Sequence, residues 1–224
     1  MRIRSFIIAY ALVLAILLFA DRRPGSTRQD RYSHVVDLTD AQNATAPHAA
    51  ESRTRIIAPG TLIPGTWAAG QIPAERLVAP LVVMDLNAGQ DSSPQISLND
   101  IAAWESRHGV IPQGAVIAIR RAHDVLQTNA LSTNDMSATP FPIASDAAQF
   151  LMDARYTIGF AVETPVNLTS DRTLARQLAL HGSYVVEGTA RFTSLPATGS
   201  LIIVAPARNK KPGETAVRIL AMVR

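Results

Sequence analysis

The chain has 224 residues, 47% of them hydrophobic and 17% charged, with a formal net charge of +3. This excludes a globally disordered chain and is enough for one large domain, whose core must come from Val, Ile, Leu and Ala because aromatics are only 5%. There is no cysteine, which removes disulfides, thiolate nucleophiles and thiolate metal sites together; the basic residues are scattered without interleaved aromatics, which argues against nucleic-acid binding.

Arg2 and Arg4 precede an apolar run over residues 5–20, and Asp21, Arg22, Arg23 and Pro24 end it. A basic flank before an apolar run reads as a signal peptide or a signal anchor over residues 1–23. Leu18, two before Ala20, spoils a small-residue cleavage site, which favours a retained N-terminal hydrophobic helix contacting the membrane through residues 5–20. Either way the expected location is extracytoplasmic, membrane-anchored or secreted. Residues 24–33 are polar with Pro24 and Gly25 and read as a tether. A single folded domain is expected over residues 34–224.

Within that domain, apolar runs bounded by Pro, Gly or Asn predict strands at 35–38, 81–86, 115–119, 158–162, 183–186, 201–204 and 217–222. Helical signals lie between them. Ser97 with Asp100 caps a segment carrying Ile101 and Trp104, and Gly109 stops it. Ser145 opens a second helix with Phe150 and Leu151. Ser170 opens a third with Leu174 and Leu178, and Gly182 ends it. Residues 40–66 and 122–143 read as long loops. Interspersed strands and helices in one block predict an α/β (α+β) fold with a mixed sheet.

The residues alone reveal little chemistry. His34, His48, His108, His123 and His181 stand apart, with no pair at metal-ligand spacing. No G-x-S-x-G elbow and no phosphate-cradling glycine loop is present.

Several ungapped blocks carry more. Val36-Asp37-Leu38-Thr39, then Gln71 to Val78 with Pro80 to Asp85, then Trp104-Glu105 and Ile111-Pro112-Gln113-Gly114 follow one another in order. Phe141-Pro142 with Ser145 to Leu151, Glu163-Thr164-Pro165, and Leu195 to Gly199 with Val204-Ala205-Pro206 complete the series. Together they resemble the cyclase family of kynurenine-formamidase-like hydrolases over almost all of the chain from His34 to Met222. The resemblance implies a swivelling β/β/α single domain. It also implies a metal-dependent amide hydrolase that holds Zn or Mn on His and carboxylate ligands, the ion lowering the pKa of a bound water.

The family's ligand motif, H-x-G-T-H-x-D-x-P-x-H, has a gap-free register on this sequence anchored by Thr54, Pro59 and Trp67. Glu51 and Arg55 then stand where the family has its two first His ligands, Ile57 where it has Asp, and Thr61 where it has the proton-transferring His. Later, Ala175 stands at a His position and Glu187 keeps the family Glu. Glu187 is the only retained ligand; Arg55 puts a permanent cation where a metal would sit, and Ile57 offers only hydrocarbon. A carboxylate partner, Glu187 or Glu51, is expected for Arg55. No metal or other cofactor is expected, and no catalytic residue is assigned.

The leading expectation is a non-catalytic protein that binds a small molecule or acts as a scaffold, a pseudoenzyme of the family. Two alternatives stay open. One is an active metal-dependent hydrolase of arylformamides or cyclic amides. The other is a metal-free hydrolase with Glu51 or Glu187 as base and Arg55 as an electrophilic clamp. The sequence is compatible with a homo-oligomer.

Overall fold

The computed structural model describes residues 32–40, 54–86, 95–121, 140–208 and 213–224. They all belong to a compact unit spanning Tyr32–Arg224. The expected anchor and most of the tether lie outside the described residues, as do Glu51, His48, His123 and nearly all of the expected loop at 122–143. Among the described residues, no helix is long and apolar enough to cross a membrane.

The strands are β1 (His34–Asp37), β2 (Arg55–Ile57), β3 (Val78–Leu86), β4 (Val116–Arg121), β5 (Gly159–Val162), β6 (Tyr184–Glu187), β7 (Ser200–Pro206) and β8 (Thr215–Val223). They form one mixed sheet in the order β1-β8-β2-β6-β5-β4-β3-β7, and β7 also pairs with β8. That last pairing closes β2 to β8 into a seven-stranded ring, with β1 added to β8. The run β3-β4-β5-β6 is parallel and the other pairings are antiparallel.

Closure gives each strand an inner and an outer face, and alternate residues divide between them. The inner face is largely apolar: Ile56, Leu81, Val83, Val116, Ala118, Val186, Ile202 and Ile219 are nearly inaccessible to solvent. Tyr184 fills the interior, its hydroxyl donating to the Arg76 carbonyl at 2.9 Å. Gly159 makes room for that ring, because a Cβ there would stand 2.5 Å from it. Burial pushes the Tyr184 pKa up, so it stays a neutral donor.

Helices cover part of the outer face. They are α1 (Pro59–Leu62), α2 (Leu98–His108), α3 (Ser145–Arg155) and α4 (Arg172–Leu180). Ile101, Trp104, Ala148, Leu151, Leu174 and Leu178 pack with outer residues of β3 to β6 and with Ile57 in a second core. In α2, Ser97 and Asp100 form the expected reciprocal cap, and Gly109 ends the helix at φ 88°. In α4, Asp171 and not Ser170 is the cap, its carboxylate accepting from the Leu174 amide at 2.9 Å. Ser170 instead belongs to a short 3-10 turn, Leu168–Ser170, capped by Asn167. Gly182, at φ 66°, follows the end of α4 as expected.

A further correction concerns residues 40–66. Read as loop, this stretch contains β2 and α1. Three residues of β2 are too few to show a period of two, yet they pair on both sides, with β6 and with β8.

Candidate functional site

The register of β2 and β6 sets the geometry of the region. Arg55 lies opposite Glu187 and Ile57 opposite Val185, so Arg55, Ile57 and Glu187 share the outer face of neighbouring strands. Glu187 is the last residue of β6 and is only 3% exposed. One of its carboxylate oxygens accepts from the Val166 amide at 3.1 Å. The other faces Arg55 Nε at 3.8 Å, an ion pair too long to be a hydrogen bond, and that Nε is buried without a hydrogen-bond partner.

The shorter contact of Arg55 is with a residue that the sequence reading missed. Its Nη1 lies 2.8 Å from Glu214 Oε2, a close ion pair. Glu214 directly precedes β8, whose Ala216 pairs with Arg55, so the β2–β8 register delivers this carboxylate. Nothing local in the sequence marks it, because the approach depends on a strand pairing between positions 159 apart in the chain. The guanidinium thus lies between two carboxylates, one buried and one half-exposed.

Thr61 joins the same neighbourhood. Its hydroxyl donates to the Gly213 carbonyl at 3.2 Å, next to Glu214. Ile57 is 5% exposed and packs into the apolar core between sheet and helices. Ala175 lies on α4, the helix that packs against α1, where Thr61 sits. It is half-buried, and its methyl adds no polar atom. Glu51 lies outside the described residues.

Charge in this cluster is governed by burial. Desolvation raises the Glu187 pKa first, and repulsion from Glu214 adds to it; the Val166 amide and Arg55 work the other way. The described histidines are engaged elsewhere. His34 Nδ1 is 2.9 Å from the Ser33 hydroxyl, the His108 ring lies against Trp104, and His181 Nε2 is 3.2 Å from Asp153.

A surface groove of about 290 Å³ runs beside α1 and the end of α4, lined by Pro59, Trp67, Leu180 and Gly182. Gly182 lets the Trp67 indole lie close, since a Cβ there would be 2.9 Å from the ring. Arg76 stacks over the same indole, 5.6 Å from its centroid.

The Cyclase family model matches residues 24–167, more than half of the chain. The chain belongs to the cyclase family. Its similarity to the isatin hydrolase of Roseibium aggregatum is 26% identity over 166 residues, 68% of this chain and 62% of that protein, so the match spans less than two thirds of the relative's length. Among solved structures, isatin hydrolase A from Labrenzia aggregata, with benzyl benzoate bound, superposes with a TM-score of 0.65 at 24% identity, covering 85% of this chain and 93% of that one. A protein described as a potential metal-dependent hydrolase with cyclase activity gives a TM-score of 0.59 at 21% identity, covering 85% of this chain and 98% of that one. The overall fold is therefore shared with these solved structures.

Metal dependence in such relatives calls for a test of the donor set here. A divalent ion needs several deprotonated oxygen or nitrogen donors around one point. Among the described residues of this cyclase-family chain, no group of three His, Asp or Glu side chains can hold a metal ion. The two carboxylates that do converge, Glu187 and Glu214, already face a guanidinium, which cannot be deprotonated and repels a second cation. The described residues of the cluster do not fit a metal.

Proposed function

We propose that this protein is a non-catalytic cyclase-family domain that binds a small molecule, held outside the cytoplasmic membrane by its N-terminal apolar run. The observation that carries the reading is the Arg55 guanidinium with both nearby carboxylates turned toward it, at the position where the gap-free register of the family motif has a His ligand. Metal-activated water is thereby replaced by an internal ion pair, and Ile57, Thr61 and Ala175 supply no ligand in its place. Glu187, with its raised pKa and its amide bond to Val166, then serves as a structural carboxylate.

The swivelling β/β/α arrangement is part of this reading, and so is the division into residues 1–23 as anchor or signal peptide, 24–33 as tether and 34–224 as cyclase-like domain. The groove beside Trp67 supports a small aromatic ligand, because it combines an exposed indole with a modest volume.

A second reading, a metal-dependent cyclic-amide or arylformamide hydrolase, is favoured by the similarity to isatin hydrolase. One experiment separates the two. The purified protein is assayed against isatin and an aryl formamide with added manganese or zinc. No hydrolysis above background is expected. Combining Glu51→His, Arg55→His, Ile57→Asp, Thr61→His and Ala175→His should restore metal binding before it restores rate. Metal-dependent turnover by the unmodified protein would overturn the non-catalytic reading.

A further inference from the structure

A small cavity lies between α2 and β3, away from the Arg55 cluster, since β4 and β5 separate β3 from β6 in the sheet. It holds about 120 Å³. Its floor is apolar, made by Met84, Ile96, Trp104 and Ala197. The Trp104 indole is fixed there, its Nε1 donating to the Val83 carbonyl at 3.0 Å. The wall is one stripe of α2, where Asp100, Ala103, Trp104 and Arg107 recur at helical spacing. A carboxylate thus stands at one end of the stripe and a guanidinium at the other, with only the Ala103 methyl between them.

The fold does not use up either charge. Capping accounts for one oxygen of Asp100: Oδ2 accepts from the Ser97 amide at 2.8 Å and from the Ser97 hydroxyl at 2.7 Å, and Oδ1 has no partner among the described residues. Arg107 donates from Nε to the Ala103 carbonyl at 3.1 Å, and neither Nη has a partner among the described residues. Asp100 and Arg107 form no ion pair with each other. Asp85, beside the acidic end, differs, because Arg120 holds both of its oxygens. Both free groups are exposed, so water serves them in the empty cavity, and an occupant must replace that water at both ends at once.

We propose that this cavity binds a small α-amino acid as its zwitterion, with the ammonium on Asp100, the carboxylate on Arg107 and the side chain over Met84 and Trp104. Seven residues of helix set the two Cα atoms about 10.5 Å apart. The Nε bond to the Ala103 carbonyl folds the guanidinium back toward Asp100. Two charge-assisted hydrogen bonds of about 2.8 Å each take up roughly half of that separation and leave at most about 5 Å. That span suits a molecule whose two charges sit on the same or neighbouring carbons. A lone anion on Arg107 would face the Asp100 carboxylate, and a lone cation on Asp100 would face the guanidinium; a zwitterion answers both. The volume favours a short side chain, because a drug-sized ligand needs about 300–1,000 Å³. The site is independent of the groove beside Trp67 and of the non-catalytic reading of the Arg55 cluster.

The test is calorimetric titration of the purified full chain with L-alanine, and with propionate and ethylamine, which carry one of the two charges each. L-alanine should bind at least tenfold more tightly than either. Asp100→Asn keeps an acceptor for the Ser97 amide and removes the charge, and Arg107→Gln removes the other; each should weaken L-alanine at least tenfold. Ala103→Leu fills the cavity without changing any charge and should abolish binding, with an unchanged circular dichroism spectrum. Absence of binding at millimolar L-alanine would overturn the proposal. So would propionate binding as tightly as L-alanine, the mark of a plain anion site. L-alanine binding that survives Ala103→Leu would place the ligand elsewhere and overturn it too.

Discussion

Replacing Arg55 by Met keeps most of the side-chain stem and removes the charge, which isolates the electrostatic role of the guanidinium. Two terms are lost. The contact with Glu214 joins two half-exposed groups, 40% and 44%, and is worth about 0.2–1 kcal/mol. The contact with Glu187 is different, because Glu187 is buried and loses its nearest cation. Breaking a fully buried pair costs about 3–5 kcal/mol, but the 3.8 Å separation and the exposure of Arg55 reduce this to about 1–2 kcal/mol. A total near 2 kcal/mol lowers the Tm of a domain this size by about 4–8 °C at pH 7. The pH dependence gives the diagnostic sign. The Glu187 pKa is already raised by burial, and removing Arg55 raises it further. Below the ordinary carboxylate pKa, about 4.3, Glu187 is protonated in the folded and unfolded states alike, so the deficit should shrink toward pH 4. The assay is thermal unfolding of both proteins from pH 4 to 8 at fixed salt. An unchanged Tm at pH 7, or a deficit that grows on acidification, would refute the account of the cluster.

Glu187→Gln keeps an acceptor for the Val166 amide and removes a carboxylate whose raised pKa makes ionisation unfavourable to folding. Relative to the variant, the natural protein should therefore lose stability as pH rises from about 4.3 toward 7, measured as a Tm difference that changes with pH in that direction. Asp171→Ala removes the cap of α4 and should cost about 1 kcal/mol at pH 7 by denaturant titration. The Asp171 carboxyl is held below its usual range chiefly by the Leu174 amide, so this stabilisation should vanish once acid protonates it. Gly159→Ala would press a methyl into the Tyr184 ring inside the barrel and should cost about 1–3 kcal/mol by the same titration. With Trp104→Phe leaving Trp67 as the single tryptophan, a ligand in the groove should shift the Trp67 emission; a small aromatic bound by calorimetry without any such shift would place it elsewhere.

Most strands of the barrel were legible because each is a run of Val, Ile, Leu or Ala bounded by turn residues. Val116–Arg121 and Ser200–Pro206 are recognisable for that reason. The two ends of α2 were legible because Ser97, Asp100 and Gly109 act locally. Closure of the ring was not, since it depends on β2, three residues whose identity as a strand comes only from partners at both edges. The same limit applied at the cluster. Glu187 was reached through family resemblance, which carries a position along the chain. Glu214 was not, because its approach to Arg55 is produced by the pairing of β2 with β8 and by no spacing in the sequence. The two faces of β8 were not separated for a related reason. Its run Val217 to Met222 reads as a strand, and only the register separates inward Val217, Ile219 and Ala221 from outward Leu220 and Met222.

The central claim is that Arg55 has taken the place of a metal, and metal content measured alongside thermal unfolding tests it most directly. The purified full chain is incubated with manganese or zinc, desalted and analysed for bound metal, and its melting is followed with and without a chelator. The account predicts substoichiometric metal and the same Tm in both conditions, because a ligand stabilises only the state that binds it. One tightly held ion per chain, with a Tm that falls by several degrees on chelation and recovers when the metal is returned, would contradict it.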